Sequence, residues 1–324
     1  MDLSALASAV ADAPAVVPTG ARTQWEVGNR VEPAVDLTAP RGVERYEPED
    51  LTVTVGAGTS FAELDALLAA QGQECPLDPR DPAATVGGLL ACGLSGPRRL
   101  RHGPIREQVL EVRFITADGR VIKGGGPTVK NVTGYDIPRL MVGSFGTLGL
   151  LVQVTLRCRP RARVGRWCTA SEPPEHLFRP AALLWDGSVV HVRCEGAAAD
   201  VDAQTATLTP ADAPRLPDGP HRGRISVAPG RVRELAADLR DIRPDPVRWC
   251  AELGVGTVHV AADTADALRR ARDVAHAHGG WMLREAGGDG LDGFGRELPN
   301  RALMSRIKVA FDPTGKLSPG RLPL

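Results

Sequence analysis

The residues of this chain that could do chemistry begin with a glycine-rich segment, PAATVGGLLACGLSG, at positions 82–96. Pro82 and Thr85 are typical of a helix start, and they would place Gly87 and Gly88 in the first helical turn. Backbone N–H groups in a first turn lack helical partners and can bind an anion such as a diphosphate without a lysine. This part of the segment therefore offers a place for a diphosphate.

The other half of the segment could complete a ligand site. Gly93, Ser95 and Gly96 would end the short helix and let a flat ligand approach the backbone. A tightly packed glycine-rich helix that binds no ligand explains the same residues, and the segment alone favours neither interpretation.

Two further parts of the first half have a similar composition. They are the turn Pro18–Thr23 (PTGART) and a glycine-rich run at positions 124–149 that includes KNVTGYD. In this run Thr133, Tyr135 and Asp136 place hydrogen-bonding side chains at a helix start, where Asp136 can also act as the N-cap. Together these segments exceed what core packing needs, which favours a ligand.

A fourth segment, Gly56–Phe61, follows a predicted strand and opens a predicted helix, as a dinucleotide-binding loop would. Phe61 replaces the third glycine, at the position where close helix–strand packing requires no side chain. Asp78 stands near the expected acidic position, but inside a DPRDP turn. A nicotinamide cofactor at this turn is therefore only a minor alternative.

Composition excludes several classes of protein. The 324 residues predict about two domains, and 39 basic residues balance 39 acidic ones, so we expect no nucleic-acid partner. The six cysteines form no Cys-x-x-Cys pair, and no metal site is predicted. The N-terminus lacks the positive region of a secretory signal, and glycines interrupt the longest apolar run, so we expect a cytoplasmic chain without a membrane span.

The elements that position these segments change in pattern near position 160. Before it, the periodicity predicts strands at 15–20, 51–55, 109–116 and 150–157, a hairpin partner after 116, and helices at 60–71 and 136–142. Ser60 and Glu63 would form a capping box at the start of the first of these helices.

The second half alternates short strands and helices. It predicts a hairpin around Asp186-Gly187, strands at 225–228 and 257–261, helices at 231–239 and 264–276, a surface excursion at 200–220 and a final helix after 299. This alternation is typical of an α+β domain with helices on one face of an antiparallel sheet.

The glycine-rich segments, in this order, resemble the FAD-binding domain of the vanillyl-alcohol-oxidase-like (PCMH-type) flavoproteins. PTGART resembles the first diphosphate loop and PAATVGGLLACGLSGPRR the second, while KNVTGYDIPRLMVGSFGTLG and LMSRIKVAFDPTGKLSPGR complete the pattern. Within the family, Ser95–Arg99 is most similar to the FAD-binding (E) subunits of multi-subunit glycolate oxidases.

The resemblance implies an α+β protein with three parts. A two-subdomain PCMH-type domain at 1–160 would clamp an extended FAD, and a smaller α+β cap or substrate domain at 161–298 would cover it. The C-terminal helix and tail at 299–324 would return to the FAD domain.

The resemblance also implies, by position, which residues contact FAD. Those at the diphosphate would be Pro18, Thr19, Gly20, Ala21, Arg22, Thr23, Pro82, Thr85, Val86, Gly87 and Gly88. Those near the flavin ring would be Cys92, Gly93 and Ser95. The adenine would meet the backbone of Val109 or Leu110. The remaining length would be lined by Thr133, Gly134, Tyr135, Asp136, Gly146 and Leu151.

Departures from the family pattern shape these expectations. PTGART has no histidine for covalent attachment, so the resemblance implies noncovalent FAD. The histidine-rich metal motif of relatives that oxidise D-2-hydroxy acids has no counterpart, since GTVHVAAD contains only His259. Phe145 and Ser318 stand where the family carries Glu and Asn. Metal-assisted oxidation by this chain alone is not expected.

Candidates for catalysis are few. His259 and Arg284 lie on predicted strands and could act as a base and a carboxylate anchor beside the flavin, although a sheet histidine and a surface arginine are the simpler interpretation. The basic cluster at 98–106 would by default be a solvated face, and otherwise we expect ion pairs or contact with a partner subunit. Lys308 would cover the flavin or form a salt bridge.

The implied function is that of an FAD-binding subunit of a glycolate-oxidase-type complex, whose flavin accepts a hydride from a small 2-hydroxy acid or relays electrons. The implied partners are a second flavoprotein subunit and an iron–sulfur subunit, through which the chain could meet the inner face of the membrane. The alternatives are a self-sufficient FAD-dependent alcohol or hydroxyacid dehydrogenase and a non-catalytic flavin-binding relay or structural subunit.

Overall fold

The computed structural model describes residues 2–126 and 135–324. The first half contains α1 (Ser4–Asp12), β1 (Val16–Thr19), β2 (Val35–Thr38), β3 (Val43–Glu47), β4 (Thr52–Gly56), α2 (Phe61–Ala69), β5 (Gln73–Glu74), α3 (Val86–Cys92), α4 (Arg99–His102), β6 (Val109–Ile115), β7 (Val121–Gly125), α5 (Ile137–Met141), β8 (Leu150–Arg157) and β9 (Arg159–Pro160).

Two small sheets, each with its own apolar core, make up most of this half. β1 and β2 pair in parallel, and Val10 of α1 packs with Val16 of β1 in a shared core. β3, β4, β8, β6 and β7, in that order, form an antiparallel sheet. Its core joins Phe114 of β6 to Leu64 of α2 and Leu89 of α3. The glycine-rich loops therefore lie at the ends of buried, well-anchored elements.

Local sequence signals explain where these helices begin and end. The predicted capping box is confirmed, because Ser60 accepts from the N–H of Glu63 and the Glu63 carboxylate accepts from the N–H of Ser60. Asp136 caps α5 as expected. Gly93 ends α3 at a φ of 69°, a left-handed conformation that glycine adopts without strain.

The second half contains β10 (Val164–Ala170), β11 (Ala182–Trp185), β12 (Val190–Gly196), α6 (Ala198–Thr205), β13 (Thr209–Pro210), β14 (His221–Ser226), α7 (Val232–Arg240), β15 (Arg248–Glu252), β16 (Thr257–Ala262), α8 (Ala265–Ala277), β17 (Trp281–Ala286) and α9 (Arg301–Phe311). The eight strands before α9 form one antiparallel sheet in the order β13-β10-β12-β11-β15-β16-β14-β17.

The two faces of this sheet differ in chemistry because side chains alternate along each strand. On one face Val258 and Val260 pack against α7 and α8. On the other, His259 stands between its cross-strand neighbours Arg224 and Cys250. Arg224 donates to the carbonyl of Ser95 at 2.8 Å, so the polar face meets the first half of the chain.

The predicted surface excursion at 200–220 is wrong in its first part. Residues 198–205 form α6, and Val201 is fully buried against Val190 and Val192 of β12. The segment is rich in Asp and Ala, so its composition did not indicate a helix whose apolar side chain packs on the sheet. The strand predicted at 225–228 begins earlier, at His221, because β14 pairs on both sides, with β16 and β17.

The final helix begins near its predicted position and packs on the first half of the chain. Phe311 of α9 stacks on Phe114 with ring centroids 6.1 Å apart. None of the described helices has the length and apolar character needed to cross a membrane.

Candidate functional site

Three neighbouring pockets that share lining residues, together called the groove and the interdomain cavity, lie between the first subdomain and the polar face of the eight-stranded sheet. The inner part of the groove lies between β1 and α3 and is lined by residues 18–20 and 57–58 and, on α3 and its cap, by Thr85, Gly87, Gly88 and Ala91. Its middle part adjoins this one along residues 18–20 and is lined further by residues 21–25, Cys92, Phe145 and Arg321. Thr23 and Gln24 also line a cavity of about 320 Å³, the interdomain cavity, into which the groove opens.

The start of α3 does not offer the free N–H groups that the sequence suggested. The N–H of Val86 donates to the Thr59 carbonyl at 2.8 Å, and that of Gly87 to the Ala57 carbonyl at 2.7 Å. The N–H of Gly88 donates to the hydroxyl of its own N-cap, Thr85. A distant loop and the cap already bind these N–H groups, so they are not the free donors that the sequence suggested, and contact of Thr85, Val86, Gly87 and Gly88 with a diphosphate stays a prediction.

The first loop has the donors instead. Within the described residues, the backbone N–H groups of Gly20, Ala21, Arg22 and Thr23 make no hydrogen bond. Arg22 has a φ of 57°, and such a left-handed residue turns successive N–H groups towards one side of a loop. All four residues line the groove. We call this loop the nest, because four unbonded N–H groups beside a left-handed residue are the pattern in which backbone nests bind phosphate oxygens.

Two glycines, Gly20 and Gly88, determine the shape of the groove. A Cβ on Gly20 would lie 2.2 Å from Oγ1 of Thr85, so the loop can approach α3 this closely only with glycine. A Cβ on Gly88 would meet only the same Oγ1, at 3.1 Å, and would otherwise project into the groove. Gly87 is different, because its Cβ would lie 2.9 Å from Ala57 and serves packing.

The middle of the groove has aromatic and sulfur-containing walls. Trp25 and Phe145 line it, and Phe145 packs edge-on to Phe294 at a centroid distance of 5.7 Å. Cys92 lies at the end of α3, and burial raises the pKa of its thiol to about 11. Arg321, which sequence reasoning did not single out, also lines this part of the groove. Aromatic walls of this kind suit a flat ring.

The interdomain cavity is rich in charge, but its arginines are paired. Arg224 Nε donates to Glu285 Oε1 at 2.9 Å, and Arg80 Nη1 lies 3.7 Å from Glu285 Oε2. Arg222 donates to Asp218 at 2.7 Å. Burial raises the pKa of Glu285, but Arg224 and Arg80 outweigh this and hold it below its ordinary value. A substrate carboxylate would have to compete with these acids.

His259 lines this cavity, which its predicted role as a base would require. Its Nε2 lies 2.7 Å from Glu252 Oε1, and both side chains are buried. His259 Nδ1 and Glu252 Oε2 have no hydrogen-bond partner in the described part of the chain. The pair could accept a proton from a hydroxyl group, which keeps His259 as a candidate.

Arg284 lies elsewhere. Its guanidinium donates to the carbonyls of Gly28 and Gly287, and it is not among the residues that line the interdomain cavity. The structure thus does not bring Arg284 and His259 together in one cavity.

The first residues of the basic cluster at 98–106 do not form the solvated face that was the default expectation. Arg98 Nη1 donates to Glu74 at 2.9 Å and to Glu195 at 3.3 Å, and His102 Nε2 lies 3.3 Å from Glu195. Although burial alone would raise it, these partners lower the pKa of Glu195 to about 2. The expected ion pairs are confirmed, and they join α4 to β12. Glu74, His102 and Glu195 could together ligate a metal, but Arg98 already bridges both carboxylates.

Several residues assigned by resemblance do not line the groove, and their contact with FAD stays a prediction. Pro82, Val86, Gly93, Val109 and Leu110 belong to packed turns, strands or helix ends.

Tyr135 is 93% exposed, and Asp136 caps α5. Thr133 and Gly134 lie outside the described residues. Lys308 forms a salt bridge with Asp312 and donates to the carbonyls of Thr147 and Leu317, so it binds backbone rather than covering the groove.

Comparisons with known proteins agree with this geometry. A family described as "FAD binding domain" matches residues 2–125. Glycolate oxidase subunit GlcE of Escherichia coli (strain K12) is 30% identical, over 97% of this chain and 94% of that protein. D-2-hydroxyglutarate dehydrogenase of Xanthomonas citri pv. viticola is 27% identical, over 96% of this chain and 84% of that protein.

A solved structure of alkyldihydroxyacetonephosphate synthase superposes with a TM-score of 0.68 at 16% identity, covering 95% of this chain and 73% of that one. This likeness shows the fold, which confirms the α+β architecture expected for a PCMH-type protein. The similarity to GlcE extends over nearly the whole of both chains, and this chain therefore belongs to the GlcE family of FAD-dependent oxidoreductases.

Proposed function

We propose that this chain is the FAD-binding subunit of a 2-hydroxy acid oxidoreductase complex of the glycolate oxidase type. The observation that carries the proposal is a groove with the nest at Gly20–Thr23, next to the interdomain cavity, in a chain that is similar to GlcE over nearly its whole length. When bound, FAD would supply the two-electron chemistry. The chain would bind the cofactor, orient it and exclude water.

The proposed FAD is noncovalent. PTGART offers no histidine, and the thiol of Cys92, with its pKa near 11, holds its proton at neutral pH and is a poor nucleophile. Acid precipitation of the purified protein should release all yellow colour into the supernatant. Colour retained in the pellet would contradict this assignment.

The proposal includes partners. GlcD of Bacillus subtilis, another glycolate oxidase subunit by name, is 34% identical over 35% of this chain, so two related flavoprotein subunits could occur in one complex. An iron–sulfur subunit would take the electrons onward, and contact with the inner face of the membrane from the cytoplasm would come through these partners. We also propose the division of the chain at 1–160, 161–298 and 299–324.

The contribution of this chain to substrate chemistry is proposed to be small when it is alone. The arginines of the interdomain cavity are already bound to Glu285 and Asp218 and cannot freely hold a substrate carboxylate. Anaerobic mixing of the FAD-loaded chain with excess glycolate or D-lactate should leave the flavin oxidised for minutes, whereas the co-purified complex should be reduced.

The buried His259–Glu252 pair favours one alternative, a self-sufficient dehydrogenase. If the isolated chain is bleached within seconds of mixing, that alternative is correct. His259→Asn should then slow bleaching, while His276→Asn on the exposed side of α8 should leave it unchanged.

A further inference from the structure

Arg321 is a buried cation without an acidic partner. It is 7% exposed, and its guanidinium donates to the carbonyls of Asn29 at 2.9 Å and Trp25 at 2.7 Å. It also lies 5.5 Å from the centroid of the Trp25 ring. Within residues 2–126 and 135–324 it forms no salt bridge, so its charge is uncompensated.

Arg272 is equally buried and is paired with Asp292, and the partly buried Arg98 and Arg224 are paired with Glu74 and Glu285. This is the usual arrangement, since an unpaired buried charge is costly. Arg284 is also buried and forms no salt bridge in the described part of the chain, but the charges of Glu26, Asp292 and Asp289 act on it, whereas no acidic group acts on Arg321.

Arg284 adds positive potential at Arg321. Burial lowers the pKa of Arg321, Cys92 acts in the opposite direction, and the charge of Arg284 lowers the pKa further. Arginine remains charged in proteins despite such effects. A charge held at this cost, beside a ligand groove, indicates an anionic group of the ligand.

The position of Arg321 identifies that group. It lines the middle of the groove, with the nest of Gly20–Thr23 on one side and the interdomain cavity on the other. The nest accounts for the diphosphate. The redox-active ring has to border the cavity that a substrate or a partner can reach, so the ring end of FAD passes Arg321.

We propose that Arg321 stabilises the negative charge that the flavin ring gains on reduction. This inference rests on the proposed function. A hydride leaves the alcohol carbon with two electrons, the hydroxyl proton goes to a base, and a neutral ring that takes up the hydride acquires one negative charge. A fixed cation beside the ring favours this reduced state over the oxidised one.

The test compares FAD-loaded Arg321→Met, Arg321→Lys and the exposed control Arg306→Met on α9. The readouts are flavin content, the two-electron reduction potential at neutral pH, and sulfite titration by loss of flavin absorbance. Sulfite adds to the ring and creates the same negative charge, so its affinity reports the same stabilisation.

Arg321→Met should retain FAD but disfavour the reduced form about tenfold, which lowers the potential by about 30 mV for a two-electron couple. Sulfite affinity should fall by a similar factor. Arg321→Lys should keep most of both properties because it keeps the charge, and Arg306→Met should match the wild type.

Other results would overturn the inference. Unchanged potential and sulfite affinity in a flavin-replete Arg321→Met protein would show that the charge does not act on the ring. A folded Arg321→Met protein that retains no FAD would assign Arg321 to binding instead. If circular dichroism shows that this variant is unfolded, Arg321→Lys decides, since a lowered potential there would contradict a role of charge. Wild-type protein without any FAD would refute the proposed function itself.

Discussion

The two ends of the groove are lined by different kinds of chemical group. At the inner end, the first loop presents unbonded backbone N–H groups and α3 presents glycines, and the polar side chains are the uncharged Thr19, Thr85 and Ser144. In the interdomain cavity, charged side chains from both halves of the chain pair with one another. Backbone donors need no partner until a ligand arrives, whereas buried side-chain charges must be neutralised when the protein folds.

This difference suggests that the inner end is specialised for ligand binding and that the polar interface of the sheet holds the two halves together. Substitutions at the two ends should therefore have opposite signatures. Those in the groove should reduce FAD content at little cost in stability, and those in the ion-pair network should do the reverse.

The largest effect is expected for Gly88→Val. Its side chain would project into the groove next to Thr85, at the place where FAD is expected, so affinity for FAD should fall more than a hundredfold while the eight-stranded sheet stays folded. Flavin content against circular dichroism measures this. Gly230→Val is the matched control, because a Cβ at Gly230 meets no atom within 4 Å. A Gly88→Val protein with stoichiometric FAD would remove α3 from the site.

A second effect concerns Glu195. Its replacement by Gln should leave Arg98 and His102 short of a buried partner and lower the free energy of unfolding by about 3 kcal/mol. Urea denaturation measures this, with the exposed Glu172→Gln as a control expected to cost less than about 1 kcal/mol.

The effect of Glu195 should depend on pH. Because its pKa is lowered to about 2 in the folded protein, its contribution to stability is complete above the ordinary carboxyl range and is lost as the pH falls from that range to about 2. Wild type and Glu195→Gln should therefore converge in stability towards acid pH. Equal stability at pH 7, or loss of FAD without loss of stability, would contradict the separation between the ligand groove and the ion pairs that join the two halves of the chain.

The smallest effect is expected for Thr85→Ala. Losing the cap on Gly88 should cost about 1 kcal/mol of stability. FAD affinity should change by less than about tenfold, because the N–H groups at this helix start are already bound within the protein. Thr264→Ala removes the equivalent cap of α8, far from the groove, and should cost similar stability with no change in affinity. A larger loss of FAD in Thr85→Ala would return the diphosphate to α3.

Sequence reasoning could predict what local signals determine. The capping box of α2, the end of α3 at Gly93 and the strand of β8 needed only neighbouring residues. The glycine segments likewise indicated where a ligand could approach the backbone.

The features that sequence reasoning missed depend on contacts between residues far apart in the chain. The N–H groups of Val86 and Gly87 are bound by Thr59 and Ala57, and no local pattern indicates that pairing. Arg321 looked like one more arginine in a chain with many, and only its burial and the lack of an acid beside it distinguish it. The SPGR sequence of the tail was the one available signal.

The way the tail joins the first subdomain bears on how the protein folds. Leu317 bridges in parallel to Val16, and Ser318 donates to the Val16 carbonyl at 2.7 Å. Contacts between residues so far apart in the chain close a very long loop, which makes them slow to form. The groove wall that carries Arg321 should therefore be completed late in folding.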